Sequence, residues 1–266
     1  MASLRDVLLQ GFPLTATGSP PGVVSLTNGT DVFGIIDWVN NHERGYFNPK
    51  QELRLEDPQD PDSRWMLFAK EPIEEGEILS TVPWEYIIAP YDYGMDISGD
   101  LNCETVNTLH EEMNQEHKPE LSPYMEYLRN LPEGQIPSLW SEDGKDIIIE
   151  LLGGREQEIP PRDIVTILEY EWLDSCNGDQ EKAKTASIVM QRGVYKAFMV
   201  PTSDWYTHRN GNYYNIKTDL IDKENFQVRA RRPIKAGEPL HDSLDLCDQC
   251  NEDMVDSGYG TPGKGM

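Results

Sequence analysis

One internal echo constrains this chain more than any other feature. Pro72-Ile73-Glu74-Glu75-Gly76-Glu77-Ile78-Leu79 and Pro233-Ile234-Lys235-Ala236-Gly237-Glu238-Pro239-Leu240 both read Pro-Ile-x-x-Gly-Glu-x-Leu. In each, the proline fixes φ where a strand must stop, and the glycine supplies a position that takes positive φ. Each stretch therefore reads as strand, turn and strand. Ahead of the second turn, Phe226, Val228 and Ala230 alternate with polar residues, as in a half-buried strand. Two such units can meet in one compact β fold. Unrelated hairpins can also share such a pattern by chance.

Between the echoes the pattern changes, and residues 91–185 read as helical and acidic. Ile164, Ile167, Leu168 and Trp172 share one helical face behind Asp163, a candidate N-cap, and Asn177-Gly178 marks the stop. A second helix is predicted over 180–198, with Ala183, Ser187, Met190, Val194 and Phe198 along its stripe. Val32, Ile35, Ile36 and Val39 predict a helix over 32–41, with Asp31 as its cap. These stripes read as core rather than as cofactor surface. Gly18-Ser19-Pro20-Pro21-Gly22 marks 1–30 as a flexible lead-in. The expected division is then 31–90 and 186–250 as two halves of one β-rich core, 91–185 as an insert, and 251–266 as a short, truncated tail.

Charge bounds the partners. The chain has 266 residues, enough for a core without staples. It carries 23 Lys and Arg against 47 Asp and Glu, a net charge of −24. A field of that sign repels phosphate backbones and anionic lipid. Neither nucleic acid nor membrane is expected as a partner; a protein with Lys-rich segments is. Solubility alone also accounts for such a charge. No stretch approaches the ~20 apolar residues of a membrane helix, and Arg5 and Asp6 interrupt the start, against a secretory signal. Four cysteines do not make a disulfide framework, so a reducing, intracellular compartment is expected, cytoplasm or nucleus. The first thirty residues hold one acid, Asp6, with several Ser and Thr, which leaves a plastid open. Cys247-x-x-Cys250 lacks the second pair that structural zinc needs, and Cys103 and Cys176 stand alone. No metal site is expected, and the cysteines read as incidental thiols.

Five further segments come in order along the chain. They are Gly45-Tyr46-Phe47-Asn48-Pro49-Lys50 with Leu53-Arg54; Arg64-Trp65-Met66-Leu67-Phe68-Ala69; Leu121 to Pro132, containing Pro123-Tyr124 and Leu131-Pro132; Pro137-Ser138-Leu139-Trp140-Ser141; and Met199-Val200-Pro201-Thr202-Ser203-Asp204-Trp205-Tyr206-Thr207-His208. With the two echoes they make the chain, over about 35–262, resemble the SET domain. The likeness is to the split-SET group typified by the RuBisCO large-subunit lysine methyltransferase. The last segment is similar to that family's VPL-x-D-x-x-NH motif. The resemblance implies an α+β fold, a β-rich, β-clip-like SET core interrupted by a helical insert. It implies S-adenosyl-L-methionine as cofactor and a protein substrate methylated on lysine, or in one branch on histidine. It implies no metal.

The resemblance also assigns residues. Arg192 stands where relatives place an arginine near the cofactor, and His208 is the His of the NH pair; a surface Arg and a structural His are the plain alternatives. Trp65 and Met66 fill the stretch where a glycine lets the backbone approach the cofactor. Thr207 replaces the family's Asn and lacks its paired donor and acceptor. Asp204 reads as structural. Tyr213 and Tyr214, after Asn210-Gly211-Asn212, are expected to line a substrate channel or to pack. The family's catalytic tyrosine falls on Leu244, which cannot orient an amine. No catalytic residue is assigned, and His241 substitutes only in a shifted register. Two readings result: a protein-lysine N-methyltransferase with a degenerate active site, or a catalytically inactive SET module that binds a protein partner. A third keeps the fold as scaffold of an acidic interaction protein.

Overall fold

The computed structural model describes residues 32–60, 63–90, 100–114, 121–131, 136–151, 161–209, 213–220 and 224–243. The two echoes meet. Gly76 and Gly237 adopt φ of +79° and +86°. A Cβ on either would find nothing within 4 Å, so backbone conformation rather than space selects glycine. Ile73 N–H donates to Ile234 O at 3.0 Å, and Ile234 N–H to Ile73 O at 2.9 Å. Around that pair the bonds repeat with the halves exchanged. Ala69 N–H donates to Glu238 O (2.9 Å) and Gly237 N–H to Ala69 O (2.7 Å); Ala230 N–H donates to Glu77 O (2.9 Å) and Gly76 N–H to Ala230 O (2.8 Å). The two turns are thus related by an approximate two-fold axis.

Strands grow out of this centre. β1 (Tyr46–Phe47), β2 (Gln51–Leu55), β3 (Trp65–Ala69) and β4 (Ile78–Pro83) precede the helical region; β5 (Thr207–His208), β6 (Ile216–Leu220), β7 (Asn225–Ala230) and β8 (His241–Asp242) come after it. β1, β4, β7 and β6 form an antiparallel sheet in that order. β2 and β3 form a hairpin, while β5 and β8 pair in parallel, Thr207 against His241 and His208 against Asp242. Leu67, Leu79, Val82, Ile216, Phe226, Val228 and Leu240 are fully buried between these layers. At ~25 cal/mol per Å² of apolar surface, such burial is the main stabilising term.

Six α-helices complete the described residues: α1 (Val32–Asn40), α2 (Cys103–Asn114), α3 (Ser122–Arg129), α4 (Glu142–Leu151), α5 (Pro161–Leu168) and α6 (Ala183–Arg192). α1 buries Val32, Ile35 and Val39, close to the expected span. α2 is capped by Asn102, whose Oδ1 accepts from Thr105 N–H at 2.9 Å. None of the described helices is long and apolar enough to cross a membrane.

Three expectations need correction. α5 begins at Pro161, a residue suited to the first helical turn, so Asp163 lies inside the helix rather than capping it. The helix then widens into a π-helical stretch, Glu169–Ser175, and stops as expected at Asn177 (φ 49°) and Gly178. A Cβ on Gly178 would lie 2.1 Å from the Trp172 ring, so only glycine fits there. α6 ends at Arg192 and does not reach Phe198, because Val194 and Phe198 close a tight turn with Tyr195 and Lys196 at φ of 53° and 52°. Finally, Cys103 and Cys176 are joined in a disulfide, their Cα atoms 5.5 Å apart. The start of α2 packs beside the end of the π-helical stretch, a proximity hidden by a sequence separation of 73. These two are not incidental thiols, and a reducing compartment no longer follows from them. Cys247, Cys250, Leu244 and the segments 1–30 and 251–266 lie outside the described residues.

Candidate functional site

A cleft of about 830 Å³ opens where the parallel pair β5–β8 meets the C-terminus of α6. Its size falls within the ~300–1,000 Å³ of small-molecule sites. Trp65 of β3, Lys217 and Thr218 of β6, the turn 193–196 and the 3₁₀ turn Ser203–Trp205 enclose it.

The turn after α6 holds two consecutive residues in the left-handed region, a conformation costing ~1–2 kcal/mol per non-glycine residue. Anchors from the helical region hold it there. Lys196 Nζ donates to Glu171 Oε1 at 2.6 Å, Asn102 N–H to Lys196 O at 3.0 Å, and Thr105 Oγ1 to Ala197 O at 2.7 Å. The insert thereby shapes the cleft's rim.

Beneath the rim lies a buried charged cluster. Arg192 Nη1 donates to Asp204 Oδ2 at 2.9 Å, and Tyr127 Oη donates to the same oxygen at 2.8 Å. The Asp204 side chain is 3% exposed and that of Arg192 18%. Burial works against the Arg192 charge, but Tyr127 and Asp204 outweigh it and raise its pKa. Burial, then the Asp204 charge, pushes the Tyr127 phenol well above its ordinary value. Tyr206 also lines the cleft, yet its hydroxyl turns inward to Gln51 Oε1 at 3.0 Å.

The floor is β8. His241 is buried, and its Nδ1 lies 2.7 Å from Thr207 Oγ1. Burial, aided by the Arg209 charge, lowers the His241 pKa to about 4. The His241 N–H donates to Asn215 Oδ1 at 2.8 Å, and Asn215 Nδ2 donates to Pro239 O at 2.8 Å, so one buried amide clamps the strand. Asp242 faces the other way, into the cleft. Its Oδ1 accepts from Ser243 N–H at 2.8 Å, and Thr218 also hydrogen-bonds it. Burial raises its pKa to about 6, against the pull of those two donors.

Of the residues singled out in the sequence, Trp65, Arg192, Thr207, His208 and Tyr214 meet around this cleft. Met66 does not: it is 3% exposed and belongs to the core. Tyr213 is 40% exposed and lies outside the cleft lining, with the Arg209 guanidinium 5.2 Å from its ring centre. Trp65 packs edge-on against Phe33, 5.8 Å between ring centres. His241 is buried, engaged by Thr207 Oγ1, and absent from the cleft lining. Asp204, read as structural, is buried against Arg192 and Tyr127 and also lines the cleft. Lys196, Asn215 and Asp242 were not singled out. Asp242 carried a signal, an acid in a run that the family fills with aromatics; Asn215 carried none.

No protein-family model matches this sequence, and no curated protein sequence matches it. Solved structures match in shape. Rubisco LSMT bound to AdoMet gives a TM-score of 0.52 at 17% identity, covering 87% of this chain and 56% of that one. The SET domain of LSMT bound to lysine and AdoHcy gives 0.51 at 13% identity, covering 86% and 56%. The same domain with methyl-lysine and AdoHcy gives 0.50 at 15%, covering 87% and 57%. The chain spans just over half the length of these structures, and it has their fold: the SET domain, built of helices and mainly antiparallel sheets.

Proposed function

We propose that this SET-fold chain is an S-adenosyl-L-methionine-dependent protein N-methyltransferase acting on lysine. The observation that supports the reading best is the convergence of Trp65, Arg192, Thr207 and His208, distant in sequence, on one cleft beside the parallel strand pair. The structures of like fold carry AdoMet, AdoHcy, lysine and methyl-lysine.

The residues present suit that cofactor. The cationic side chains of Arg64, Arg192 and Lys196, ion-paired with Glu56, Asp204 and Glu171, line the cleft beside the aromatic walls Trp65, Tyr195 and Tyr214. Cations suit a carboxylate and aromatic faces suit a sulfonium and an adenine. When bound, the cofactor supplies a methyl group on a positively charged sulfur. The chain's part is to orient the two reactants, exclude water and receive the amine with a lone pair free. The Thr207–His241 contact links β5 to β8 at the residue that the resemblance aligns with the family's Asn. The charge of −24 favours a substrate whose lysines lie in cationic surroundings.

Incubation with isotope-labelled S-adenosylmethionine and a Lys-rich peptide library, read by mass spectrometry, tests the reading. Methyl-lysine that disappears in His208→Ala supports it. Cofactor binding without transfer to any peptide or protein extract would leave the inactive module instead.

A further inference from the structure

A cleft that receives a lysine needs a group to meet its ammonium, and the sequence puts Leu244 where the family has a phenol. Among the described residues, two carboxylates line the cleft. Asp204 is closed off by Arg192 and Tyr127. Asp242 differs. It is the half-buried residue between buried His241 and Ser243, and the alternation of the strand aims it at the cleft. It stands directly opposite His208 in the parallel register, next to the cofactor-side motif, and its main-chain oxygen accepts from Arg209 N–H at 2.9 Å. Its carboxylate holds only uncharged donors, Ser243 N–H and Thr218, and among the described residues no cation pairs with it. A carboxylate held by neutral donors at the wall of a concave site is a receptor for one positive charge.

We propose that Asp242 receives the target amine, binding the incoming ammonium and accepting one of its protons. This rests on the methyltransferase reading of the cleft. One N–H bond of the ammonium breaks, its electron pair staying on nitrogen, and an O–H bond forms on the Asp242 carboxyl. The proton then passes to water at the open mouth. Burial, which raises the carboxyl and lowers an amine brought beside it, narrows the gap between the two.

The amine site is tested without turnover, using n-butylammonium as the lysine side chain and 1-butanol as its uncharged control. Amide NMR shifts of Thr218, Ser243 and His208 report the titration in wild type, Asp242→Asn and Asp242→Glu, each first checked for an unchanged amide fingerprint. The expected result is saturable binding of n-butylammonium by wild type, weakened at least tenfold in Asp242→Asn and partly restored in Asp242→Glu, with 1-butanol indifferent to all three. Equal binding of n-butylammonium by wild type and Asp242→Asn, or none by either, would overturn the proposal. A parallel titration with S-adenosylmethionine separates the two claims. Cofactor binding by wild type without an Asp242-dependent amine site sinks the Asp242 proposal alone. Absence of cofactor binding with an Asp242-dependent amine site sinks the methyltransferase reading alone.

Discussion

The two echoed turns share a backbone plan and lead into strands with different fates. Each turn lies on the same pair of isoleucine bonds, and each is braced by a buried asparagine. Asn48 Nδ2 donates to Ile78 O, and Asn215 Nδ2 donates to Pro239 O, both at 2.8 Å. Ile78 and Pro239 are equivalent positions of the echo. Past the leucine that ends each motif the halves part. Ser80 and Thr81 enter β4, held between β1 and β7 in the interior of the sheet. His241 and Asp242 enter β8, which pairs with β5 and floors the cleft. The symmetric part builds the frame, and the candidate site lies where the symmetry ends.

The largest effect should fall equally on both halves. Ile73 and Ile234 are 1% and 2% exposed, and either isoleucine changed to alanine should cost about 3 kcal/mol in denaturant unfolding. A cost confined to one of them would break the equivalence.

The second prediction should separate the halves by pH, since Ser80 and Thr81 do not titrate while His241 and Asp242 do. Asp242 has its folded pKa raised to about 6, so its contribution to stability is full below its ordinary value and is lost as pH rises through 6. Asp242→Asn removes that loss and should gain on wild type as pH rises from 4 to 6, by at most about 3 kcal/mol. His241 has its folded pKa lowered to about 4, so its contribution is present above its ordinary value and lost as pH falls through 4. His241→Asn should therefore gain on wild type in the opposite direction. Melting temperatures of the three proteins across that range decide it; parallel curves would contradict the assignment.

Next in size are the two clamps. Asn48→Ala and Asn215→Ala should each lose about 2 kcal/mol, the cost of stranding buried backbone groups. Only Asn215→Ala should also weaken ligand binding in the cleft, since only its strand carries Asp242. Smallest are Gly76→Ala and Gly237→Ala, about 1 kcal/mol each, because positive φ is the whole penalty where no atom obstructs the new Cβ.

The frame was legible because its signals are local. Proline and glycine at fixed offsets announce a turn, and a common pattern announces that two turns are alike. The order of the five segments then pointed to the fold that the solved structures share. The rest depends on contacts that no spacing encodes. Cys103 and Cys176 meet only because α2 packs beside the π-helical stretch. α6 was expected to run on to Phe198, since its stripe continues in period. Instead, Asn102, Thr105 and Glu171 hold the strained turn at Tyr195 and Lys196. Met66 was assigned with Trp65, but adjacent residues of a strand face opposite ways, and Met66 is buried outside the cleft.

The central claim is that this cleft takes S-adenosylmethionine, and calorimetric titration of the purified chain with the cofactor and its demethylated product tests it most directly. The account predicts saturable binding of both in the micromolar range, weakened by Arg192→Ala and His208→Ala. No heat and no thermal shift at millimolar ligand would contradict it.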